Sequence, residues 1–383
     1  MLIKIKRSFP PQSPIFARKL SRMMQAEDFI AADSPTNADS GVINCEAPSN
    51  IALVKYWGKT DVQIPANPSV SFTLRHSKTV TTLYYRFIEN PSPKVSFDLI
   101  FEGNPNEAFK PKIQKFFELA EAYVPFVKHY HFEIHTHNTF PHSSGIASSA
   151  SGMGALAFGL MQLEKKLNPQ LSESFLNQKA SFLARLGSGS ACRSIEGPLV
   201  VWGKHAYIKE SSDLFGVKPE IEIHPVFLDY QDTILLIDIG EKTVSSSQGH
   251  QLMQGHPFAE KRFTQANENL LKLLIAMETG DLDQFIKITE SEALTLHAMM
   301  MTSQPYFILM KPETLQVIEK VWAFRKQSTV PLCFTLDAGA NVHMLYPKAN
   351  KKSVMDFIQK ELLIFCRNNA FIDDEVGSGA KLL

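Results

Sequence analysis

The chain has 383 residues, enough for one large or two medium domains, each with its own hydrophobic core. Its 39 basic and 39 acidic residues cancel, which argues against a surface for general binding to nucleic acid or anionic membranes. No apolar run approaches the roughly 20 residues of a membrane-spanning helix. The four cysteines are scattered without CxxC spacing, so they indicate reduced thiols in a cytoplasmic protein without a zinc site.

The first part of the chain has the composition of a disordered segment. Residues 1–23 contain six basic residues and no acidic residue, and they lack the apolar core of a secretory signal. The polar stretch at 31–40 continues this pattern, so we predict that residues 1–42 form a disordered extension. We therefore expect a chain that starts at Met24 to keep full activity.

The first motif follows a short buried-strand pattern at 51–54. Lys55 and Lys59 flank a Tyr-Trp-Gly sequence, which puts two cations and a phenol at the end of a strand. That group suits a polyanionic ligand. A strand edge with two solvated lysines is the alternative explanation.

Further strands and one helix are predicted downstream of this motif. Histidines at alternating positions of a strand at 131–137 would share one face, but the sequence offers them no acidic partner. We interpret them as solvated side chains rather than metal ligands. The other predicted elements of this region are strands at 67–75, 79–87 and 94–101 and a helix at 109–127.

Three loops rich in small and hydroxyl residues lie at 141–154, 187–194 and 242–250. The first leads directly into a helical pattern, and free backbone N–H groups at a helix N-terminus can bind phosphate. The second contains a single arginine, Arg193. Ordinary alternatives are a flexible loop for the first and a helix-ending turn with a surface arginine for the second. Neither GxxxxGK[ST] nor GxGxxG, the usual nucleotide motifs, occurs there.

A polar stretch at 211–219 marks the weakest connection before a second half. Asp337 follows a strand of this half and lies between small residues, where aspartate is often only a turn former; catalysis is the alternative. The elements predicted for this half are strands at 234–239, 330–336 and 342–346 and helices at 258–279, 281–299 and 312–325.

Together these motifs resemble those of the GHMP kinase superfamily and, within it, the mevalonate diphosphate decarboxylase family. The sequences Lys-Tyr-Trp-Gly-Lys and Gly-Ser-Gly-Ser-Ala-Cys-Arg-Ser are specific to the decarboxylases, whereas Ser-Ser-Gly-Ile-Ala-Ser-Ser alone indicates only the superfamily. The resemblance covers nearly the whole chain past the extension. The segments that carry it are 47–59, 67–71, 144–150, 187–194, 244–246 and 337–339.

The resemblance implies an α+β fold of the GHMP kinase type, with two domains and the site in the cleft between them. A ribosomal protein S5 domain 2-like N-terminal domain at 43–222 would bind ATP, and a ferredoxin-like C-terminal domain would occupy 223–383. The implied reaction is the ATP-dependent conversion of mevalonate 5-diphosphate to isopentenyl diphosphate, ADP, phosphate and carbon dioxide, through transient 3-O-phosphorylation. The family also implies Mg²⁺ and a homodimer, in the mevalonate pathway of isoprenoid biosynthesis.

Matching the family residue by residue implies a role for each motif. Asp337 would face the tertiary 3-hydroxyl, Arg193 would hold the carboxylate that leaves as carbon dioxide, and Lys55 would support the reacting centre. The resemblance leaves the metal ligand unassigned. The implied contacts to the substrate are Tyr56, Lys59, Ser144, Ser190, Arg193 and Ser246. The implied contacts to ATP are Ser71, Gly145, Ala147, Ser148 and Ser149.

Three residues depart from the family's usual pattern: Ala340, where proline is common, and Ser247 and His250 after the Val-Ser-Ser sequence. Some members carry arginine near the latter positions for the diphosphate, so a 5-monophosphate substrate is an alternative. Another is a mevalonate 3-kinase-type enzyme that phosphorylates the 3-hydroxyl and stops, against which Asp337 argues. A third is a catalytically silent protein that binds ATP and an isoprenoid precursor.

Overall fold

The computed structural model describes residues 24–31, 39–141, 146–238, 240 and 246–383, with the side chains of 246 and 247 left out. The elements of the first half are β1 (Gly41–Val54), β2 (Lys59–Asp61), β3 (Ile64–Pro65), β4 (Ser69–Phe87), β5 (Ser96–Phe101), β6 (Asn104–Pro105), α1 (Lys110–Ala120), β7 (Tyr130–Asn138), α2 (Ser148–Leu167), α3 (Glu173–Gly187) and β8 (Leu199–Trp202). Those of the second half are β9 (Gln231–Leu235), α4 (Ser246–Gln251), α5 (Ala259–Thr279), α6 (Leu282–Met301), α7 (Pro312–Ser328), β10 (Cys333–Leu336), β11 (Val342–Tyr346), α8 (Lys351–Phe357), β12 (Phe371–Glu375) and β13 (Lys381–Leu382).

The first half is built on a mixed sheet with the strand order β13-β1-β4-β7-β5-β6, to which β8 adds beside β4. Neighbours are antiparallel except for β5 and β7, which are parallel. Helix α2 packs on β1 and β4, and α3 packs on α2. Gly154 permits this approach, because a Cβ there would lie 3.2 Å from the Cβ atoms of Ala47 and Ser194. The small residues of α2 therefore bring the helix close to the sheet.

The second half contains an antiparallel sheet with the order β10-β11-β9-β12. Strands β9, β10 and β11 are buried along their whole length, since helices cover both faces. One face packs on α7 and α8 in an apolar cluster that includes Val321, Phe334 and Phe357. The other face meets α6, which also contacts β1 of the first half. This arrangement confirms the predicted α+β class.

The chain returns to the first half after β12. The carboxylate of Asp374 accepts hydrogen bonds from the backbone N–H groups of Arg75, His76 and Ser77 at 3.0, 2.8 and 2.7 Å. Strand β13 then pairs with β1, with Cys45 opposite Leu382. The last residues of the predicted unit 223–383 thus complete the sheet of the predicted unit 43–222. The two units themselves stay a prediction.

Part of the predicted extension 1–42 is ordered, which corrects that expectation at 24–31 and 39–42. Residues Ala26–Phe29 form a short 3₁₀ turn. The Phe29 side chain is fully buried, with its ring centroid 4.8 Å from that of Phe182. Strand β1 already begins at Gly41. Sequence patterns could not predict this packing, because a single phenylalanine in a polar segment contacts residues far along the chain.

Two further expectations change in the structure. The strands predicted at 67–75 and 79–87 form one long strand, β4. The histidines of β7 do have acidic neighbours, since His131 lies 3.4 Å from the Asp98 carboxylate and His135 contacts Glu133. Even so, no group of three or more His, Cys, Asp or Glu in the described ranges could hold a metal ion. Nor is any helix of the described chain long and apolar enough to cross a bilayer.

Candidate active site

A pocket lined mostly by polar side chains opens where the two halves of the chain meet. The end of β1, the 3₁₀ turn Gly189–Ser194, α4, α6 and the loop after β10 all contribute to its wall. The polar residues among those that line it are Asn50, Lys55, Tyr56, Lys59, Gln63, Lys112, Ser149, Ser188, Ser190, Arg193, His250 and Asp337.

Lys55 and Asp337 form an ion pair across this pocket. The Lys55 Nζ lies 3.1 Å from Asp337 Oδ1, although the two residues are 282 positions apart in sequence. Lys55 is 1% exposed, and burial lowers the pKa of its ammonium while the charge of Asp337 opposes that shift. His297 Nε2 donates to the backbone oxygen of Asp337 at 3.1 Å, which holds the loop after β10 in place.

The backbone of Lys55 is held by a second, fully buried ion pair. Arg262 on α5 and Glu292 on α6 are both 0% exposed and bond at 3.0 Å between Nη1 and Oε1. Glu292 accepts the backbone N–H of Lys55 at 2.9 Å, and Arg262 Nη2 donates to the Lys55 carbonyl at 3.1 Å. Two helices of the second half therefore fix the end of β1 from both sides.

Arg193 is buried at the wall of the pocket, so the surface-arginine alternative is wrong. Its Nε donates to Ser71 Oγ at 2.6 Å, and its Nη1 donates to Ser69 Oγ. The guanidinium also lies over the Trp202 ring, 5.7 Å from the centroid. Burial lowers its pKa, but arginine stays charged in proteins. In the described chain Nη2 has no hydrogen-bond partner, so this charge can serve a ligand.

Ser71 does not occupy the position expected of an ATP contact. The residue is fully buried in β4, and it does not line the pocket. Its hydroxyl accepts from Arg193 Nε, so in this structure the side chain faces the arginine and not the pocket. The structure therefore corrects this prediction, because Ser71 orients the arginine instead.

The start of α2 borders the same pocket. Ala147 adopts the left-handed conformation, with φ 47°, directly before the helix begins at Ser148. Ser149 Oγ lies 3.1 Å from Ser188 Oγ, and both residues line the pocket with Ala147. Ser148 is half-buried and is not part of the described wall. The predicted contacts Ser144 and Gly145 lie outside the described residues, and Ser246 is described only as the first residue of α4.

Tyr56 and His250 form an aromatic corner of the pocket. The Tyr56 hydroxyl is buried without a hydrogen-bond partner in the part of the chain that is described. Burial raises the pKa of this phenol, so the hydroxyl keeps its proton and can donate to a ligand. Lys59 and Ser190 line the same pocket, and partial burial lowers the pKa of the Lys59 ammonium.

Sequence reasoning missed several residues of this site. Asn50 braces the arginine turn through hydrogen bonds to Ser194 Oγ at 2.8 Å and to the Ser190 carbonyl at 3.2 Å. Arg262 and Glu292 sit in ordinary amphipathic helices, and no local signal distinguishes them. For His250 the only hint in the sequence was that it departs from the family pattern at this position.

Two family models match the chain. The model described as diphosphomevalonate decarboxylase-like N-terminal domain matches residues 47–213. The model described as mevalonate 5-diphosphate decarboxylase C-terminal domain matches residues 233–377. Both halves of the chain thus match the two domains of one family, in the same order.

The curated relatives that match this chain include diphosphomevalonate decarboxylases of fungi. Diphosphomevalonate decarboxylase of Ganoderma lucidum is 29% identical over 337 residues, which cover 82% of this chain and 80% of that protein. The Saccharomyces cerevisiae enzyme is 28% identical over 332 residues, with coverage of 82% and 80%. The similarity therefore extends along most of the chain.

Solved structures share the fold. Mevalonate diphosphate decarboxylase from Staphylococcus aureus matches with a TM-score of 0.77 and 29% identity, covering 90% of this chain and 98% of that one. A protein named MDDEF, solved in complex with MVAPP, AMPPCP and magnesium, matches with a TM-score of 0.76 and 29% identity, covering 90% and 99%. These matches confirm the predicted GHMP kinase-like fold. The chain belongs to the diphosphomevalonate decarboxylase family.

Proposed function

We propose that this chain is an ATP-dependent carboxy-lyase that converts mevalonate 5-diphosphate to isopentenyl diphosphate, ADP, phosphate and carbon dioxide in the mevalonate pathway. The observation that carries the proposal is the ion pair between the buried Lys55 and the partly exposed Asp337, which lines the same pocket as Arg193. A carboxylate, an ammonium and a guanidinium at one cleft suit a substrate with a hydroxyl, a carboxylate and phosphates.

Asp337 is proposed as the general base for the first step. A tertiary alcohol is a hindered, weak nucleophile, so a carboxylate that orients it and accepts its proton speeds attack by about 10² to 10⁴. The hydroxyl proton passes to Asp337 as the new oxygen–phosphorus bond forms and the bond between the γ-phosphoryl group and ADP breaks. The Lys55 ammonium, 3.1 Å from Asp337 Oδ1, would stabilise the negative charge of the transferred group.

Arg193 is proposed to hold the substrate carboxylate in the second step. Phosphate leaves with the electron pair of the carbon–oxygen bond, and positive charge develops on that carbon. The electron pair of the bond to the carboxyl group then forms the carbon–carbon double bond, and carbon dioxide departs. Anchoring by Ser69 and Ser71 fixes the guanidinium, whose charge-assisted contact contributes roughly 1.5–3 kcal/mol.

The phosphate contacts are proposed at the two ends of the pocket. Tyr56, Lys59 and Ser190 would bind the substrate diphosphate end. The Lys59 ammonium supports this, as does the Tyr56 hydroxyl, which has no hydrogen-bond partner among the described residues. Ser144 and Ser246 stay proposed contacts on the family resemblance alone. The ATP phosphates would lie at the start of α2, where backbone N–H groups are free of helical partners. The proposed contacts there are Gly145, Ala147, Ser148 and Ser149.

ATP and Mg²⁺ fit this site in different ways. The α2 N-terminus offers backbone donors to ATP, and Ser149 and Ser188 add hydroxyls. Mg²⁺ would be held mainly by the phosphate oxygens of ATP and by water, as is usual for this ion at phosphate-transfer sites. When bound, Mg²⁺ supplies charge neutralisation on the phosphates.

The test is product analysis with ATP, Mg²⁺ and mevalonate 5-diphosphate, with the 5-monophosphate in a parallel reaction. Isopentenyl diphosphate, ADP and carbon dioxide are expected from the diphosphate. Turnover of the monophosphate alone would make the protein a phosphomevalonate decarboxylase. A stable 3-phosphorylated product without carbon dioxide would contradict the proposed second step.

A homodimer and a cytoplasmic location complete the proposal. The family resemblance supports the dimer, and light scattering coupled to size exclusion would test it through the molar mass. All four cysteines are buried and form no disulfide, which fits a reducing compartment.

A further inference from the structure

His250 occupies a position that none of the proposed roles uses. It lies on α4 and lines the pocket, with its ring centroid 4.2 Å from that of Tyr56 and 4.6 Å from that of Trp57. The residue is 7% exposed. Its ring is therefore held between two aromatic side chains of the Lys-Tyr-Trp-Gly-Lys motif, in the corner proposed for the diphosphate.

One ring nitrogen of His250 already has a partner. The backbone N–H of Gly58 donates to His250 Nδ1 at 2.9 Å. Gly58 has φ +105°, a conformation that side chains with a Cβ rarely adopt, so the turn presents this N–H only because the residue is glycine. Nδ1 must supply a lone pair to this bond, so the neutral ring carries its proton on Nε2.

The second ring nitrogen is left for a ligand. In the described part of the chain Nε2 has no hydrogen-bond partner, while the ring forms part of the pocket wall. Burial lowers the pKa of the imidazole well below 6.5, and the cations Lys59 and Arg193 lower it further. At neutral pH His250 is thus an uncharged donor beside two positive charges.

We propose that His250 binds the substrate's 5-diphosphate by donating its Nε2–H to one of the phosphate oxygens, beside Lys59 and Tyr56. The inference rests on the proposed function, since it takes the substrate from there. A phosphate oxygen is a strong acceptor, and a neutral donor adds a directed hydrogen bond without another repelling cation. The hydrogen bond from Gly58 to Nδ1 ties the turn that carries Tyr56 and Lys59 to α4. The same ring would therefore hold the turn in place with Nδ1 and bind the phosphate with Nε2.

Two substitutions separate these functions. In His250→Asn the amide oxygen can replace Nδ1 and accept from Gly58, but the Nε2 donor is lost. In His250→Gln the longer amide reaches the Nε2 position and can donate, but the acceptor for Gly58 is lost. We expect the asparagine variant to raise the KM for mevalonate 5-diphosphate about tenfold or more, with a smaller change in kcat and in the KM for ATP. The glutamine variant should recover much of that loss.

The opposite ranking would overturn the proposal. If His250→Gln is the damaged variant and His250→Asn binds substrate as the wild type does, the ring only braces the turn. Equal losses in both, or an equal rise in the KM for ATP, would also overturn it, because they indicate general disruption.

Binding of inorganic pyrophosphate, measured by calorimetry, tests the inference independently of turnover. The Kd should rise about tenfold in His250→Asn and much less in His250→Gln. A wild-type protein that binds pyrophosphate but turns over no mevalonate derivative would sink the proposed function alone. Unchanged pyrophosphate binding in His250→Asn, with normal wild-type turnover, would sink the His250 role alone.

Discussion

At the scale of single residues, the charges of Lys55 and Asp337 in the pocket depend on each other. Lys55 is almost fully buried, and Asp337 is the acid that compensates its charge within hydrogen-bond distance. Removing one partner of such a pair leaves the other charge buried without compensation. The same carboxylate thus serves the fold and the proposed proton transfer.

Asp337→Ala should lower kcat by at least about 10², because the proposed general base is removed. Asp337→Asn keeps the volume and should lower kcat similarly, so the loss can be assigned to the carboxylate. Binding of ATP, followed by calorimetry, should survive in both variants and in Arg193→Gln, whose kcat should also collapse. More than about a tenth of wild-type kcat in Asp337→Ala, above the loss expected of a general base, would rule out the base role.

Because the pKa of His250 is lowered in the folded chain, we expect the free energy of unfolding to decrease as the pH falls. Its pKa is held well below 6.5 in the folded chain, so below about pH 6.5 the unfolded chain binds more protons. Stability is therefore full above that pH and falls as the pH falls, by up to about 1.4 kcal/mol per unit for one group. Chemical denaturation between pH 7.5 and 5 should show a smaller decrease for His250→Asn than for the wild type, while equal decreases would contradict this assignment.

Among the elements, α5 and α6 have a task beyond packing. The Arg262–Glu292 pair on these helices holds both backbone hydrogen-bonding groups of Lys55. A shift of α6 would therefore move the ammonium relative to Asp337. Lys55 is a residue of the first half whose position depends on helices of the second.

Glu292→Gln should destabilise the fold by about 3–5 kcal/mol, since it leaves Arg262 buried and unpaired. It should also lower kcat, because the end of β1 is released. Glu290→Gln on the same helix is the control, as Glu290 pairs with Arg325 away from the pocket. Both variants should lose stability in denaturant titrations, but only Glu292→Gln should lose turnover under folding conditions. Equal kcat losses would contradict a positioning role.

The short turn at Ala26–Phe29 contains the buried Phe29, so we expect this part of the N-terminal segment to contribute to stability. A chain that starts at Met24 retains Phe29 and should keep wild-type kcat. Phe29→Ala in that chain should cost about 3–5 kcal/mol of stability, because it opens a cavity beside Phe182. Thermal unfolding and steady-state kinetics measure the two effects. A large loss of turnover on starting at Met24 would show that residues 1–23 are needed.

The sequence pointed to the residues proposed for the reaction and to most elements, but not to the residues that support them. Lys55 and Asp337 each stand at a strand end among small or distinctive residues, so motif reasoning reached both. Ser71 was expected to contact ATP because the sequence pattern of a strand does not show whether a serine hydroxyl faces a ligand or a buried arginine. Glu292 was missed because its partners lie far along the chain, and helix periodicity cannot identify them. Tertiary contacts decide such roles.

On the scale of the whole molecule, the two halves are held together by contacts between them as well as by the covalent linker. Three features cross from one half to the other: the Lys55–Asp337 ion pair, the hydrogen bonds of Glu292 and Arg262 to the Lys55 backbone, and the segment after β12. Asp374, 1% exposed, supports the last of these crossings with three backbone hydrogen bonds.

Asp374→Ala should destabilise the protein by about 3 kcal/mol, because three backbone N–H groups, one of them fully buried, lose their acceptor. Asp373→Ala is the matched control, since the neighbouring carboxylate forms a half-exposed ion pair with Lys351 that is worth about 0–1 kcal/mol. Urea titrations of both variants give the comparison. Similar midpoints for the two would show that the crossing contributes little.

The pairing of β1 with β13 also sets an order of events during synthesis. Cys45 is among the first residues of the sheet to leave the ribosome, yet its edge partner Leu382 is made more than three hundred residues later. Until then Cys45 and Glu46 of β1 lack their edge partners, and unpaired strand edges template aggregation. A chain that stalls before β13 would carry this edge for as long as it persists, which makes it a natural client for chaperones that shield unpaired strands.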